Sequence, residues 1–413
     1  GKKLFFLKKN EVAFLKEKLF NKGFISITLI NFIVYLVYYL MMVIIAVIAQ
    51  ENLGASLGQA GFASGIYIIG TLLARLYMGK KLELFGRKQV LRYGISFYFL
   101  TTIAYFFLPN LFVLYLVRLL NGFFYGMTST ATNAIVTAYI PESRNGEGIN
   151  YYGLSTSLAA AIGPFIGMIL LNTTNFQVII AVSSVIIFLT AIACFLVPVK
   201  NLPLSAKQIV QLKKWSLHSF IEYKVLSISF IAFLMGLAYS SVLTFLSSYA
   251  ITTDLVKVSS YFFVVYALVI TATRPLTGRI FDAKGEKFVM YPSYIFLAIG
   301  LFTLSMATNG IVLLLSGALI GLGYGTFMSN GQAICLTLCS THRIGIGLST
   351  YFIGLDLGLG IGPYLLGEIH AILSFQGLYI VAGIIPILCI ILYTILNKAH
   401  AAKPTFSKEG VKE

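Results

Sequence analysis

Apolar runs of about twenty residues follow one another along this whole chain, and each is long enough to cross a bilayer as a helix. Twelve are read, at 24–49, 57–79, 89–108, 111–138, 148–171, 178–198, 225–249, 259–280, 288–307, 311–338, 347–371 and 377–396. Lipid offers no partner to a bare peptide group, so a spanning segment is either a helix that satisfies its own backbone or a strand of a closed barrel. A barrel needs strands of about ten residues alternating apolar with polar. The runs here are solid, and the expected fold class is an all-α membrane protein with twelve transmembrane helices. Composition agrees: 58% of the 413 residues are hydrophobic and 11% charged, too little polar surface for a soluble protein of this size.

The formal net charge is +16, and its placement matters more than its size. With the N-terminus set in the cytoplasm, 26 of the 30 Lys and Arg fall on the cytoplasmic side, in tails and loops and at their borders. Lys257 alone falls outside, and Arg75, Arg118 and Arg274 lie within spans. This is the positive-inside pattern. It predicts both termini in the cytoplasm, contact between anionic lipid and the basic inner loops, and no nucleic-acid partner, since no basic binding module is present. The Lys-rich start, GKKLFFLKKNEVAFLKEKLFNKG, lacks the pattern of a signal peptide and reads as an amphipathic segment on the inner leaflet. Cys194, Cys335, Cys339 and Cys389 lie in or near apolar spans, which implies neither a disulfide framework nor a metal site.

One half of the chain copies the other. At an offset of 199 residues Arg75 meets Arg274, Gly79 meets Gly278, Glu83 meets Asp282, Gly86 meets Gly285 and Lys88 meets Lys287. Gly122, Tyr125 and Gly126 meet Gly321, Tyr324 and Gly325; Arg144 meets Arg343; Gly163-Pro164 meets Gly362-Pro363. Six spans is an even number, so both copies enter and leave on one side. That predicts two six-helix bundles related by a pseudo-twofold along the membrane normal, with a site between them near the midplane. The expected organisation is a basic segment at 1–23, a bundle at 24–199, a cytoplasmic linker at 200–224, a second bundle at 225–396 and a tail at 397–413.

Three motifs carry further information. The loop after span two, GKKLELFGRKQVL (79–91), and its counterpart GRIFDAKGEKFV (278–289) both hold a glycine, an acid four residues on, and a second glycine three after that. The second glycine suits a tight turn, and the acid can accept hydrogen bonds from a neighbouring helix N-terminus. Such a latch would hold the two halves in one orientation; the alternative is an ordinary basic inner loop. Span four carries Arg118 four residues before Gly122; an arginine in a span is expensive and usually functional, the alternative being a structural residue held by backbone carbonyls. Span five carries Gly153 and then Gly163-Pro164-Phe165-Ile166-Gly167, small residues that permit close helix approach.

Over essentially its whole length the sequence resembles the major facilitator superfamily. GKKLELFGRK is similar to the family's G-x-L-x-D-R-x-G-R-R loop at Gly79, Glu83, Gly86, Arg87 and Lys88, with Glu83 for the aspartate and Leu84 for an arginine. Arg118 and Gly122 resemble its R-x-x-x-G motif. Span five resembles the G-x-x-x-G-P-x-x-G-G pattern of its antiporters, with Met168 at the last glycine. The closest likeness is to the twelve-span bacterial drug:proton antiporters. The resemblance implies a latch from Glu83 to the start of span eleven and from Arg87 to an acid near the end of span four, for which Glu142 is the nearest candidate. It also implies a role in proton movement for Arg118.

Asp356, in GLDLGLGIGPYLLGEIH (354–370), lies about nine residues into span eleven, roughly 13 Å of helix rise. In the fold the resemblance implies, span eleven packs on span two, so an Arg75–Asp356 pair is expected. Its mirror, Arg274 near Ser157, would have no acid. Rocking of the halves would part Arg75 from Asp356, and a carboxylate without its cation in low dielectric binds a proton. The alternative is a static ion pair. Spans one, four, seven and ten face the cavity in that fold, which nominates Asn31, Tyr35, Tyr38, Tyr39, Thr128, Asn133, Tyr239, Ser240, Ser241, Asn330 and Gln332 as its lining. Such an aromatic, nearly uncharged pocket suits lipophilic or amphiphilic compounds; the alternative is that many of these tyrosines are ordinary interface or packing residues.

The function expected is secondary active efflux of such molecules from the inner membrane of a bacterial cell by a monomer. The proton gradient would supply the energy and no cofactor is called for. A metabolite, metallophore or sugar carrier of the same fold, working as symporter or uniporter, is the alternative. No phosphate-binding loop, H-E-x-x-H helix or soluble catalytic domain is present, so no enzyme is expected.

Overall fold

A computed structural model describes residues 18–55, 57–259 and 261–401. The remainder of the Lys-rich start and of the tail lies outside the described residues. Among the described residues, eleven segments are long and apolar enough to span a membrane, and a twelfth helix, Arg87–Ile103, is shorter and opens on basic residues. The spanning helices are α1 Lys22–Leu53, α2 Leu57–Phe85, α3 Arg87–Ile103, α4 Leu111–Ile135, α5 Asn145–Thr173 and α6 Phe176–Leu196 in one half. The other half has α7 Leu226–Thr252, α8 Phe262–Lys284, α9 Lys287–Ser305 and α10 Gly310–Leu338. A last helical run, Ile344–Ala401, breaks at Ser374, whose φ of 64° is left-handed, into α11 (344–373) and α12 (375–401). Exposed side chains such as Phe112, Leu189, Leu268, Ile311 and Ile372 form the lipid-facing surface.

The helices outrun the spans read from hydropathy. α2 continues to Phe85, through Lys80 and Lys81, because a helix emerging from lipid keeps its backbone bonds after its side chains turn polar. Arg75 therefore sits ten residues before the end of α2 rather than four before the end of its span. Asparagine caps the start of several helices. Asn110 and Asn309 each accept from the backbone N–H three residues on, Val113 and Val312, at 3.0 Å; the two caps are 199 residues apart.

Each half has its own buried core, and the internal repeat is visible as repeated contacts. In the first half α1 packs on α5, α2 on α4, and α3 on α4 and α6; in the second α7 packs on α11, α8 on α10, and α9 on α10 and α12. A Cβ on Gly122 would strike the carbonyl of Tyr67, and one on Gly321 would meet the carbonyl of Tyr266; both members are displaced by 199. The halves are thus two six-helix bundles related by a pseudo-twofold. They meet along α2–α11 and α5–α8, with α5 also touching α10.

One local departure breaks the repeat. Residues Gly321–Gly325 of α10 form a π-helical turn, which inserts a residue relative to the matching turn of α4. Beyond it the register moves by one: Arg75 bonds Ser129, whereas Arg274 bonds Ser329, 200 residues on. Between the halves the chain lies across the end that bears the basic loops. Its short helices Ala206–Lys213 and Leu217–Phe220 flank Trp215. Lys80, wholly buried, donates to the Leu212 carbonyl at 2.8 Å, with its ammonium about equally close to the rings of Trp215 and Phe220. Farther along, Glu222 pairs with Arg343 at 2.5 Å.

Candidate functional site

The seam between α2 and α11 carries a buried ion pair. Nε of Arg75 donates to Oδ2 of Asp356 at 2.7 Å, with the side chains 1% and 19% exposed. The arginine also donates to Ser129 Oγ at 3.2 Å, lies 5.0 Å from the Phe352 ring, and its own carbonyl accepts from Ser349. The glycines of the 354–362 stretch explain how an acid comes to sit there. Cβ atoms on Gly354, Gly358 and Gly362 would strike Ser229, Phe233 and Ser240 of α7. The three glycines, four apart, form a stripe that beds α11 on α7 in its own half. Asp356, two residues from the stripe and so about 200° round the helix, faces the other half. The mirror position is also as expected: Arg274 donates to Ser157 Oγ at 2.7 Å and to Ser329, and among the described residues no acid pairs with it.

The two loop motifs behave differently from one another. In the second, Asp282 accepts from the backbone N–H groups of Gly146 and Glu147 at 2.8 and 3.0 Å. It caps the start of α5 from the opposite half. In the first, Glu83 does not reach the start of α11; it pairs with Arg87 one turn on, at 2.9 Å, with both side chains buried. Nor does Arg87 find Glu142, which is exposed; it donates instead to the Ala134 carbonyl at 3.2 Å. The chain's continuation into α3 explains both corrections: Gly86, at φ 93°, turns the backbone so that residues 83 and 87 face each other and satisfy one another. Gly285 has φ 96°, and both turns therefore need a glycine. The backbone N–H of Lys88 donates to Asn201 at 3.0 Å. Gly79 still lies against α11, since a Cβ there would stand 2.6 Å from Ser349.

Among the residues nominated for the cavity, Asn31, Asn133 and Asn330 hold helices together instead, and others bond within their own helix. Asn31 donates to Ser155 and Thr156 of α5 at 2.8 and 2.9 Å. Thr128 bonds back to Phe124 and lies against Gly94 of α3. Asn133 accepts from Tyr152 at 2.8 Å. Asn330 and Asn150 exchange hydrogen bonds at 2.8 and 3.0 Å across the seam between α10 and α5. Ser240 and Ser241 bond carbonyls of their own helix, at 2.6 Å each. Gln332 is buried, and among the described residues its amide nitrogen has no partner. A polar residue in a span is needed for interhelical bonding at least as often as for a chamber, and helix number alone does not separate the two.

Tyrosines form the centre. Tyr38 stacks on Tyr125 at 4.6 Å and lies 5.3 Å from Tyr67; Tyr35 and Tyr39 flank it. In the second half Tyr239 stacks on Tyr324 at 4.0 Å and lies 5.9 Å from Tyr266. Tyr67 and Tyr239 are both buried. Two matched triads thus face the seam, and Tyr35 joins the first to the ion pair by sharing Ser129 with Arg75 at 3.1 Å. Tyr67 and Tyr266 were missed from sequence, although they too stand 199 apart.

Arg118 borders the first triad through Tyr67 but has no bond to the Arg75–Asp356 pair among the described residues. It donates to the carbonyls of Ala63 and Ser64 and to the Tyr105 hydroxyl, and stacks on Tyr67 at 4.3 Å. That shell matches the structural alternative. The glycines of α5 divide: Gly163 and Gly167 bed on Leu36 and Leu40 of α1, beside Pro164, while Gly153 faces Ser329 and Arg274 across the seam.

The Major Facilitator Superfamily model matches residues 27–347 and 256–412. The chain belongs to this superfamily. Among its relatives is an uncharacterized MFS-type transporter of Methanocaldococcus jannaschii, 23% identical over 83% of this chain and 91% of its own. The staphylopine export protein of Staphylococcus aureus is 20% identical over 83% and 88%. The multi-drug resistance efflux pump PmrA of Streptococcus pneumoniae is 24% identical over 72% and 76%. The crystal structure of the human organic anion transporter MFSD10 (TETRAN) superposes with a TM-score of 0.71 at 14% identity, over 89% of this chain and 98% of that one. The superfamily member described here is accordingly a multi-pass membrane transporter and not an enzyme.

Proposed function

We propose that this transporter exports lipophilic or amphiphilic small molecules against a proton gradient, by rocking its two halves about the tyrosine-lined centre. The Arg75–Asp356 pair is the observation that carries the reading. It joins the halves near the middle of the membrane, where parting them leaves a carboxylate without its cation in a medium of low dielectric. Such a group takes up a proton, so protonation and conformation are linked. The name of the pneumococcal relative supports the efflux half of the reading. In this scheme the basic loops face the cytoplasm of a bacterial cell, in contact with anionic lipid, and the working unit is a monomer without a cofactor.

The decisive experiment uses everted vesicles with an imposed pH gradient and a panel of lipophilic dyes. Asp356→Asn, present in the membrane at wild-type level, is expected to lose gradient-driven transport at least tenfold. Unimpaired transport by that variant would remove Asp356 from the coupling mechanism. Gradient-independent transport by the wild type would favour the carrier alternative. Dedicated export of a single solute is a second reading, supported by the name of the staphylococcal relative; transport of one dye class alone from the panel would favour it.

A further inference from the structure

Two arginines face the seam from equivalent positions of the repeat, and the described residues give a counter-charge to only one. Nε of Arg75 is bonded to Asp356. Nε of Arg274, the matching atom, is buried with no partner. The whole Arg274 side chain is 0% exposed. Its other nitrogens donate to Ser157 and Ser329, both neutral. The ionisable groups that act on it are the phenols of Tyr266 and Tyr351, with no carboxylate among them. Room is kept around it by glycine: a Cβ on Gly153 or Gly325 would stand 3.3 Å from a guanidinium nitrogen.

A guanidinium cannot shed its charge in a protein, and a bare one within the membrane is costly. Arg75 meets that cost from its own chain. We propose that Arg274 meets it from the cargo: it is the receptor for an oxyanion, a carboxylate or its like, on an amphiphilic transported molecule. This rests on the export reading and names the charge class of its substrate. Nε and Nη2 share one edge of the guanidinium plane, the edge that binds a carboxylate through two parallel bonds. Nε is free, and Nη2 is held by Ser157, which belongs to the opposite half. Parting the halves at the basic end carries Ser157 away and presents both donors to the chamber. An anion bound there re-enters the closed seam as half of a neutral pair. A cationic cargo would add like charge to Arg274, so closure selects for anions.

The test uses the full chain in nanodiscs, with carboxyfluorescein as an anionic probe and ethidium as a cationic one, and binding followed by fluorescence anisotropy. Arg274→Gln is expected to weaken carboxyfluorescein binding at least tenfold and not to weaken ethidium binding. Arg274→Lys, which keeps the charge without the two-donor edge, is expected to fall several-fold short of wild type. Ser157→Ala, which removes the hydroxyl competing for Nη2, is expected to tighten the anion. Wild-type affinity in Arg274→Gln, or no carboxyfluorescein binding by the wild type, overturns the proposal. Should Arg274→Gln not accumulate, unchanged affinity in both other variants overturns it equally. The export reading is judged separately, in vesicles: Arg274-dependent binding without gradient-driven transport would sink that reading and leave the anion site standing.

Discussion

At the scale of the residue, the two arginines make opposite predictions about stability. Removing one partner of a buried ion pair strands the other, typically at about 3–5 kcal/mol. Arg75→Met strands Asp356 and is expected to lower the melting temperature in nanodiscs markedly. Arg274→Met removes a cation that has no acid beside it, and is expected to leave the melting temperature unchanged or raise it. Equal losses in the two variants would mean that their surroundings do not differ as described. The Arg75–Asp356 pair was legible because the fold that the family resemblance implies packs span eleven on span two, and charged groups in apolar spans are few and need one another. The partner of Glu83 was not legible in the same way. The family pattern points Glu83 across the seam, while the i, i+4 spacing to Arg87 offers a nearer cation, and only the turn at Gly86 decides between them.

At the scale of the element, helix number and polarity together overstate the chamber. Asn31, Asn133 and Asn330 lie on chamber-facing helices by number, yet each is used to bind one helix to another. The tyrosine triads were half legible, since the repeat pairs Tyr125 with Tyr324 and Tyr67 with Tyr266. What hides them is abundance: the chain has 25 tyrosines, and spacing does not say which rings meet. The π turn at Gly321–Gly325 was beyond sequence reading, because GLGYG is equally good as an α-helical glycine run. The glycine stripe of α11 supports a firmer expectation. A Cβ on Gly358 would overlap the Phe233 carbonyl, and backbone cannot give way as a side chain can. Gly358→Leu is expected to force α11 off α7 and lower the melting temperature at least as far as Arg75→Met. A Gly358→Leu protein as stable as wild type would show that the two helices are not in close contact.

At the scale of the molecule, hydrogen bonds between the halves gather at the basic end: Asp282 on the start of α5, Asn150 with Asn330, Thr277 with Asn150 at 3.0 Å. That end is interlocked, and transport by rocking requires it to part. Cysteines at positions 150 and 330, oxidised to a disulfide, are expected to abolish dye transport, and reduction to restore it. Undiminished transport by the cross-linked protein would exclude separation of α5 from α10 as a step of the cycle. The twofold itself was legible from one ungapped offset, because duplicated bundles reuse the same glycines and arginines for the same crossings. The unequal treatment of the two copies was not, since it lies in what each arginine meets.

Trp215 is the single tryptophan of the chain, and it stands where the segment between the halves grips Lys80. Indole emission is sensitive to a nearby ammonium and to the polarity around the ring, and all of it here originates at one spot. The unlabelled protein thus carries a built-in optical gauge, lit by ultraviolet light alone, that reports when this clasp slackens.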